Sequence, residues 1–237
     1  MSGHSKWSTI KHQKAVKDAR RGILFTKLAT QITAATASGD NLDMNPTLKV
    51  AVDNAKRQGM PKDNIERAIA RGSGRGGGAR LAEIIYEAYG PYGVGIIIRA
   101  ITDNKNRVLS EIKATLNRAG GNLAEQGAVT YQFEEKGLIC VNENVGKQED
   151  LQLIAIEAGA QDIETAGDWL KIYTQPQDLQ KVKKILEDGG AKIHSAEIMF
   201  KPKSIIMLDT EKSAQVARLL EILENINNIS NVFSNFK

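Results

Sequence analysis

Residues 138–200 read LICVNENVGKQEDLQLIAIEAGAQDIETAGDWLKIYTQPQDLQKVKKILEDGGAKIHSAEIMF. Apolar residues in this stretch switch repeatedly between the two-residue period of a strand and the longer period of a helix. The pattern predicts strands over 138–141, 162–165, 169–174 and 193–200. It predicts helices over 148–158 and 176–188. The resulting order, β-α-β-β-α-β, is that of a ferredoxin-like unit.

The segments on either side of this stretch repeat the alternation. On the N-terminal side we predict strands over 81–89, 94–102 and 128–134, a helix from Asp103 or Asn104 to Arg118, and turns over 90–93 and 135–137. On the C-terminal side we expect Lys201-Pro202 to end the strand, followed by a strand over 204–208, a helix over 211–225 and a strand over 231–236. Without the central stretch, the flanks together read β-α-β twice, which favours one ferredoxin-like domain inserted into another. Two domains in tandem would leave residues 204–237 as an orphan tail.

The first third of the chain has helical periodicity only. We predict helices over 18–38, from Asn45-Pro46 to Gln58, and over 61–72, with Asn45 as an N-cap and Pro46 in the first turn. The tract SGRGGGAR at 73–80 resembles an RNA-contacting arginine-glycine tract, but its glycines favour a flexible hinge. The predicted fold class is α+β, with a basic helical domain over 1–72, a hinge over 73–80, an α+β domain over 81–135 plus 203–237, and an inserted ferredoxin-like α+β domain over 136–202.

Charge is distributed unevenly along the 237 residues. Residues 1–80 carry a net charge of +9 and the remainder carries −5, which gives the whole chain +4. This asymmetry indicates a polyanionic partner for the N-terminal third. No apolar run approaches the roughly 18 residues of a membrane span, and the N-terminus lacks the apolar region of a secretory signal. We therefore expect a cytoplasmic protein with no membrane partner.

Basic residues are concentrated in GHSKWSTIKHQKAVKDARRGILFTK, residues 3–27, where Asp18 is the only acid. The three- and four-residue spacing of Lys and Arg would place many of them on one side of a helix, as a phosphate-binding face requires. A solvated face is the alternative, but acids that could form i,i+4 pairs are missing. Trp7 fits stacking on a base and anchoring of this segment on the helical domain about equally well. We predict a nucleic-acid-binding surface formed by His4, Lys6, Trp7, Lys11, His12, Lys14, Lys17, Arg20, Arg21, Lys27, Lys56, Arg57, Lys62 and Arg67.

Signatures of catalysis are missing from the sequence. His4, His12 and His194 do not stand at metal-ligand spacing with cysteines or carboxylates. The chain has no GxGxxG or GxSxG motif, and its glycine run lacks the Lys-Ser/Thr of a phosphate-binding loop. Cys140, the single cysteine, stands in an apolar run and is expected to be an inert, buried thiol. We predict no catalytic residue, metal or cofactor; the alternative is an enzyme or small-ligand sensor built on the ferredoxin-like domains.

The chain resembles the YebC/PmpR family over its whole length. The resemblance is carried by GHSKWSTIKHQKAVKDARRGILFTKLATQIT at 3–33, NPTLKVAVDNAKRQGMPKDNIERAI at 45–69, YEAYGPYGVGIIIRAITDNKNR at 86–107 and GGNLAEQGAV at 120–129. It implies a helical N-terminal domain, two α+β domains, and a non-enzymatic, cytoplasmic regulator of gene expression. Family members are usually described as DNA-binding transcriptional regulators. Others, including the mitochondrial translational activator of cytochrome c oxidase subunit I, resemble ribosome-associated translation factors that help with proline runs.

The identity of the nucleic acid stays open at the level of the sequence. DNA and ribosomal RNA both fit the basic segment, and the ribosome is a partner that the resemblance implies. A reader of paired operator half-sites is usually a dimer. We expect a monomer, because no dimerisation stripe is visible among the predicted helices.

Overall fold

The computed structural model describes residues 21–75, 81–142 and 145–236. Its first part is helical. Helix α1 covers residues 21–35 and continues as a 3-10 turn at Thr36–Ser38, α2 covers Pro46–Arg57, and α3 covers Lys62–Gly72. Asn45 Oδ1 accepts the N–H of Leu48 at 3.0 Å, so the predicted N-cap is confirmed. The predicted start of α1 at Asp18 lies outside the described residues.

The rest of the described chain alternates between strands and helices. In order, its elements are β1 (Ala82–Tyr89), β2 (Gly95–Thr102), α4 (Lys105–Arg118), β3 (Asn122–Ala124), β4 (Phe133–Asn142), α5 (Val145–Ala158), β5 (Asp162–Ala166), β6 (Trp169–Thr174), α6 (Leu179–Asp188), β7 (Ile193–Pro202), α7 (Thr210–Glu224) and β8 (Ile229–Ser234). The strands form two antiparallel sheets, so the α+β fold class is confirmed.

The inner sheet has the strand order β5-β6-β4-β7. Its elements follow one another as β-α-β-β-α-β, and the first and third strands lie at the centre, as in a ferredoxin-like unit. Helices α5 and α6 cover one face of this sheet, because the apolar side chains of both helices and of the central strands point to the same layer. That layer contains Ile139, Leu151, Ile172, Val182 and Leu186.

The outer sheet has the strand order β3-β1-β2-β8. Strand β1 pairs with β2 through a tight hairpin, as predicted, whereas residues 204–208, for which we predicted a further strand, form no strand of this sheet. That prediction is wrong: this segment contributes a single bridge, from Ile206 to Phe236. The short loop of the β1–β2 hairpin closes at a small entropic cost, which favours the local pairing over a distant one.

The predicted strand over 128–134 is wrong except at Phe133 and Glu134, which begin β4. Residues Thr130–Gln132 form a 3-10 turn, and the strand of this region is β3, which the sequence pattern did not indicate. The reason is a side chain: the Glu87 carboxylate accepts backbone N–H groups from Gly127, Val129 and Thr130. The backbone therefore wraps around Glu87 and cannot use these donors in a ladder.

Strands β4 and β7 are longer than predicted, and they pair with each other along their whole length. Their register places Phe133 opposite Pro202 and Glu134 opposite Lys201. The predicted turn at 135–137 and the predicted strand end at Lys201 are therefore wrong. Proline is tolerated because β7 is an edge strand of the inner sheet. The domain boundaries near 135 and 203 stay a prediction, which this pairing supports because it brings the two boundary segments side by side.

Strand β2 is buried on both faces and is a central strand of the outer sheet, which with α4 and α7 is here called the outer domain; the inner sheet with α5 and α6 is called the inner domain. Ile96 and Ile98 pack under α4 and α7, in a cluster with Ile112 and Leu219. Ile97 points to the opposite face, where it joins a second cluster formed by Val129, Phe133 and Phe200. Phe200 belongs to β7, so this second cluster joins the outer sheet to the inner sheet. Among the described helices, none combines the length and apolar character needed to cross a bilayer.

Candidate nucleic-acid interface

The apolar residues of the helical domain pack together in its core, so the basic residues lie on its surface. Ile32, Leu48, Val52 and Ile65 form the centre of the core between α1, α2 and α3. Of the predicted binding residues, Arg21, Lys27, Lys56, Arg57, Lys62 and Arg67 belong to the described part of the chain. His4, Lys6, Trp7, Lys11, His12, Lys14, Lys17 and Arg20 lie outside it.

The structure brings Arg21 next to the end of α2. The Arg21 guanidinium stacks over the Phe25 ring at 5.2 Å, and its Nη2 lies 3.7 Å from where a β-carbon on Gly59 would stand. Lys56 and Arg57, both exposed, occupy the last turn of α2 just before this glycine. The negative end of the helix dipole stabilises cations at that position. Arg21, Lys56 and Arg57 are here called the basic end.

Two further predicted residues lie on the exposed side of α3. Lys62 Nζ is 3.5 Å from a Glu66 carboxylate oxygen in an i,i+4 pair whose side chains are 86% and 60% exposed. Arg67 donates to the carbonyl oxygen of Asp63 at 3.2 Å and to the Asn64 side chain. Such exposed contacts contribute little to stability, so a phosphate can replace them at a small cost.

Lys27 has a different environment from the other described basic residues. It is half-buried, and its Nζ donates to the carbonyl oxygen of Glu224 at the end of α7. Burial lowers the pKa of the Lys27 ammonium, and the charge of Glu224 opposes this effect only in part. Lys27 therefore joins α1 to the outer domain and is less available to a phosphate than the basic end.

Sequence reasoning missed the residues that dock the helical domain. Lys183 Nζ of α6 lies 2.8 Å from Asp53 Oδ2 of α2, and the Lys183 side chain is only 4% exposed. A lysine at an inward position of α6, between Val182 and Leu186, is a signal that could have suggested a buried partner. No sequence pattern pointed to Asp53 as that partner.

The free edge of β7 provides the second set of docking contacts. Its Ala196 carbonyl accepts the Asn54 side-chain amide at 3.0 Å, and its Ile198 carbonyl accepts Arg99 Nη1 at 3.0 Å. The helical domain and the outer sheet thus each donate one side-chain hydrogen bond to a carbonyl of this edge. Exposed strand edges invite pairing with other chains, and these contacts protect the edge.

Charged groups on the face of the inner sheet opposite α5 and α6 neutralise one another. Lys201 Nζ lies 2.6 Å from Asp162 Oδ2, 2.9 Å from Glu164 Oε1 and 3.7 Å from the centre of the Tyr173 ring. Burial would lower the pKa of Lys201, but its bonds to the two carboxylates outweigh burial and raise it. Burial, reinforced by Glu164, raises the pKa of Tyr173 to about 12. At neutral pH Lys201 and the two carboxylates are therefore charged and Tyr173 is neutral, as in a structural ion pair.

The remaining candidate groups for chemistry are scattered. Burial raises the pKa of the Cys140 thiol, although a hydrogen bond with Ser195 opposes it, so the thiol is protonated at neutral pH. His194 is exposed and its ring packs edge-on against Trp169, 4.8 Å between centroids. Within residues 21–75, 81–142 and 145–236, no three His, Cys, Asp or Glu side chains are grouped as metal ligands.

Comparison with known proteins places the whole described architecture in one family. Residues 5–75 match the N-terminal domain of TACO1/YebC proteins, and residues 81–236 match the second and third domains. Relatives from Dehalococcoides mccartyi (47% identical, covering 99% of this chain and 94% of the relative) and Thermotoga maritima (44%, covering 100% and 94%) are each named "Probable transcriptional regulatory protein". A crystal structure of a conserved hypothetical protein from Aquifex aeolicus superimposes with a TM-score of 0.86 at 42% identity, over 93% of this chain and 91% of that one. The chain belongs to the TACO1/YebC family.

Proposed function

We propose that this protein is a non-enzymatic regulator of gene expression that binds nucleic acid through its helical domain. The observation that carries the proposal is the basic end, where Arg21 of α1 lies beside Gly59, which closely follows the exposed Lys56 and Arg57 of α2. The basic residues before Arg21 add charge to the same end of the sequence. The names of the relatives, which describe transcriptional regulators, support the regulatory role.

Ribosomal RNA is the partner that we propose first. Helix α2 uses Asp53 and Asn54 to dock on the inner domain, and Arg57, which donates to the Asn54 side chain at 2.7 Å, stays exposed beside this contact. The net charge of −5 after residue 80 disfavours phosphate there and suits contact with basic proteins. A molecule with one basic end fits an RNA–protein particle such as the ribosome better than a palindromic duplex, which needs paired heads at one-turn spacing. Promoter DNA is the second candidate, favoured by the names of the relatives.

Sedimentation of a lysate through sucrose gradients at low and high salt tests this proposal. We expect the protein to co-migrate with ribosomes in the low-salt gradient. In the cell we expect it to act in the cytoplasm, as a monomer. The variant Lys56→Glu with Arg57→Glu should stay at the top of the gradient. The matched control is Lys181→Glu with Lys184→Glu, which changes two exposed lysines on α6 by the same charge. This control should sediment like the unchanged protein.

Footprinting on genomic DNA provides the opposing result. A protein that stays at the top of the low-salt gradient and protects one promoter with nanomolar affinity would overturn the ribosomal proposal in favour of promoter DNA. Equal losses in both charge-reversed variants would show that the basic end has no special role.

A further inference from the structure

A cavity of 670 Å³ lies where the helical domain, the outer sheet and the inner domain meet. Its walls come from α1 and α2, from β1, β2 and β8, and from α6 and β7. The apolar part of the lining includes Ala35, Val50, Ile101 and Leu179. Ligand pockets in proteins commonly measure about 300–1,000 Å³ and occur preferentially at domain interfaces. This cavity has the size and the position of such a pocket.

Two donors of residues in this lining are buried and make no hydrogen bond. Gln180 Nε2 and Arg99 Nε have no hydrogen-bond partner within the described part of the chain. The Arg99 guanidinium is fixed in place, because its Nη1 donates to the Ile198 carbonyl and it lies 5.6 Å and 5.5 Å from the Phe200 and Phe233 rings. A buried donor without a partner is costly, and each such group in a native protein calls for an explanation. Ligand atoms that accept hydrogen bonds would give these donors partners.

Acceptors surround the same guanidinium. Glu83 Oε1 lies 3.2 Å from Arg99 Nε without the alignment of a hydrogen bond, and Glu135 Oε1 lies 3.9 Å from Nη2. Glu197, the third carboxyl in the lining, accepts from Asn231 at 3.3 Å. Burial raises the pKa of Glu197, although Arg99 and Asn231 oppose this effect. Because carboxyl groups outnumber the single arginine around this point, a phosphate is disfavoured, and a neutral ligand that both accepts and donates fits best.

We propose that this cavity binds a guanine base. Guanine presents O6 and N7 as acceptors, for which an arginine is the commonest specific partner. Its N1–H and N2–H donors can meet a carboxylate such as Glu83, while the apolar lining covers the faces of the ring. Proteins that read single-stranded RNA recognise unstacked bases through such contacts on their edges. The inference rests on the proposed binding of nucleic acid, because an unpaired guanine of a bound RNA is one source of the base; a free guanine nucleoside is the other.

Adenine is the informative comparison. It presents an N6 amino donor where guanine presents the O6 acceptor. That amino group would face the unused donors of Gln180 and Arg99, and two donors cannot bond each other. We therefore expect guanosine to bind the full-length protein at least roughly tenfold more tightly than adenosine.

Titration calorimetry with guanosine and adenosine tests the proposal on the full chain. The variant Gln180→Met removes an unused donor at similar volume, so it should not lower the unfolding temperature, but it should weaken guanosine binding roughly tenfold or more. Gln177→Met is the matched control, because Gln177 lines the same cavity with an exposed side chain, and it should leave binding unchanged. Equal binding of the two nucleosides, no binding of guanosine, or an unchanged affinity in Gln180→Met would overturn the proposal.

RNA hairpins with a single loop guanine or loop adenine identify the source of the base. A preference for the loop guanine that Gln180→Met abolishes assigns the site to RNA. Guanosine binding without such a preference assigns it to the free nucleoside. A separate result would contradict the proposed function. That result is an unchanged affinity for both hairpins in Lys56→Glu with Arg57→Glu, whether or not guanosine binds.

Discussion

Where the hydrophobic pattern predicts the wrong local structure in this protein, the contacts of single side chains explain the difference. The residues before β4 alternate like a strand, yet one carboxylate, Glu87, holds them as a loop through three backbone N–H groups at 2.6, 2.6 and 2.8 Å. The exposed basic residues of α2 and α3 could be predicted from the sequence because they follow helical spacing. The partner of Lys27 could not, since a lysine in a basic run gives no sign that it will meet the end of α7.

The first prediction concerns Glu87. The change Glu87→Gln leaves one acceptor for three N–H donors and removes the charge, so we expect a loss of about 2–3 kcal/mol in the free energy of unfolding at pH 7. Burial opposes ionisation of Glu87, but the bonds from Gly127, Thr130 and Val129 outweigh it and lower the carboxyl pKa below its ordinary value of 4.5. The stabilisation is therefore complete above that value and is lost as pH falls through the folded-state pKa.

Urea unfolding of both proteins between pH 7 and pH 3 measures this effect. The difference in unfolding free energy should be constant down to about pH 5 and then shrink. A difference that is the same at pH 3 and at pH 7 would show that the charge of Glu87 does not act through these bonds.

At the scale of elements, the sequence predicted helices more reliably than strands. The helices α2, α3, α4 and α7 begin and end within a residue or two of their predicted limits, because caps such as Asn45 are local signals. Strand limits depend on partners far away in the chain. Gly137 suggested a turn, but it lies inside β4. Glycine is needed at this position because a β-carbon would collide with Thr174 and Leu179.

A second prediction uses the close crossing of α1 and α3. A β-carbon on Gly72 would stand 2.5 Å from the Thr33 carbonyl oxygen and 2.6 Å from Thr36 Cβ. Alanine usually stabilises a helix relative to glycine, but here the overpacking should dominate, and we expect Gly72→Ala to cost about 1–3 kcal/mol. Thermal unfolding measures it. The control is Gly22→Ala in α1, where a β-carbon has nothing within 4 Å, and a gain of about 0.5–1 kcal/mol is expected.

A third prediction concerns the ion pair that docks α2 on α6. Asp53→Asn should destabilise the protein by about 2 kcal/mol, because it leaves the buried Lys183 ammonium with only Glu187, 3.7 Å away. Adding Lys183→Met removes that ammonium, so the double variant should recover part of the loss. Chemical denaturation of both single variants and the double variant gives the coupling. A double variant less stable than Asp53→Asn alone would contradict the account.

At the scale of the whole molecule, the charge asymmetry could be predicted from the sequence and the docking could not. The excess of positive charge before residue 80 is a matter of composition. Docking depends on Asp53, Asn54 and Lys183, which meet only after the helical and inner domains have formed. The cavity at their junction likewise belongs to no single domain, so no local pattern could indicate it.

A fourth prediction assigns nucleic-acid affinity to one end of the molecule. Removing residues 1–72 should abolish RNA binding and leave both sheets folded; Lys183→Met is added because its partner Asp53 is deleted. In the full chain, each phosphate contact gives a slope of about −0.7 to −0.9 in a plot of log affinity against log salt concentration. Lys56→Ala with Arg57→Ala should make that slope shallower. Fluorescence anisotropy measures both effects, and full binding by the truncated chain would refute the assignment.

We expect the long ladder between β4 and β7 to order the folding of the two sheets during synthesis. The inner domain is complete once Pro202 has left the ribosome, whereas the outer sheet waits for β8, which begins at Ile229 and pairs with β2. Domains generally fold as units as the chain emerges. With the predicted boundaries near 135 and 203, we expect the finished inner sheet to hold these two segments side by side, as the β4–β7 register does, and so to shorten the loop that β2 and β8 must close. We therefore expect the outer sheet to close on an inner sheet that has already folded.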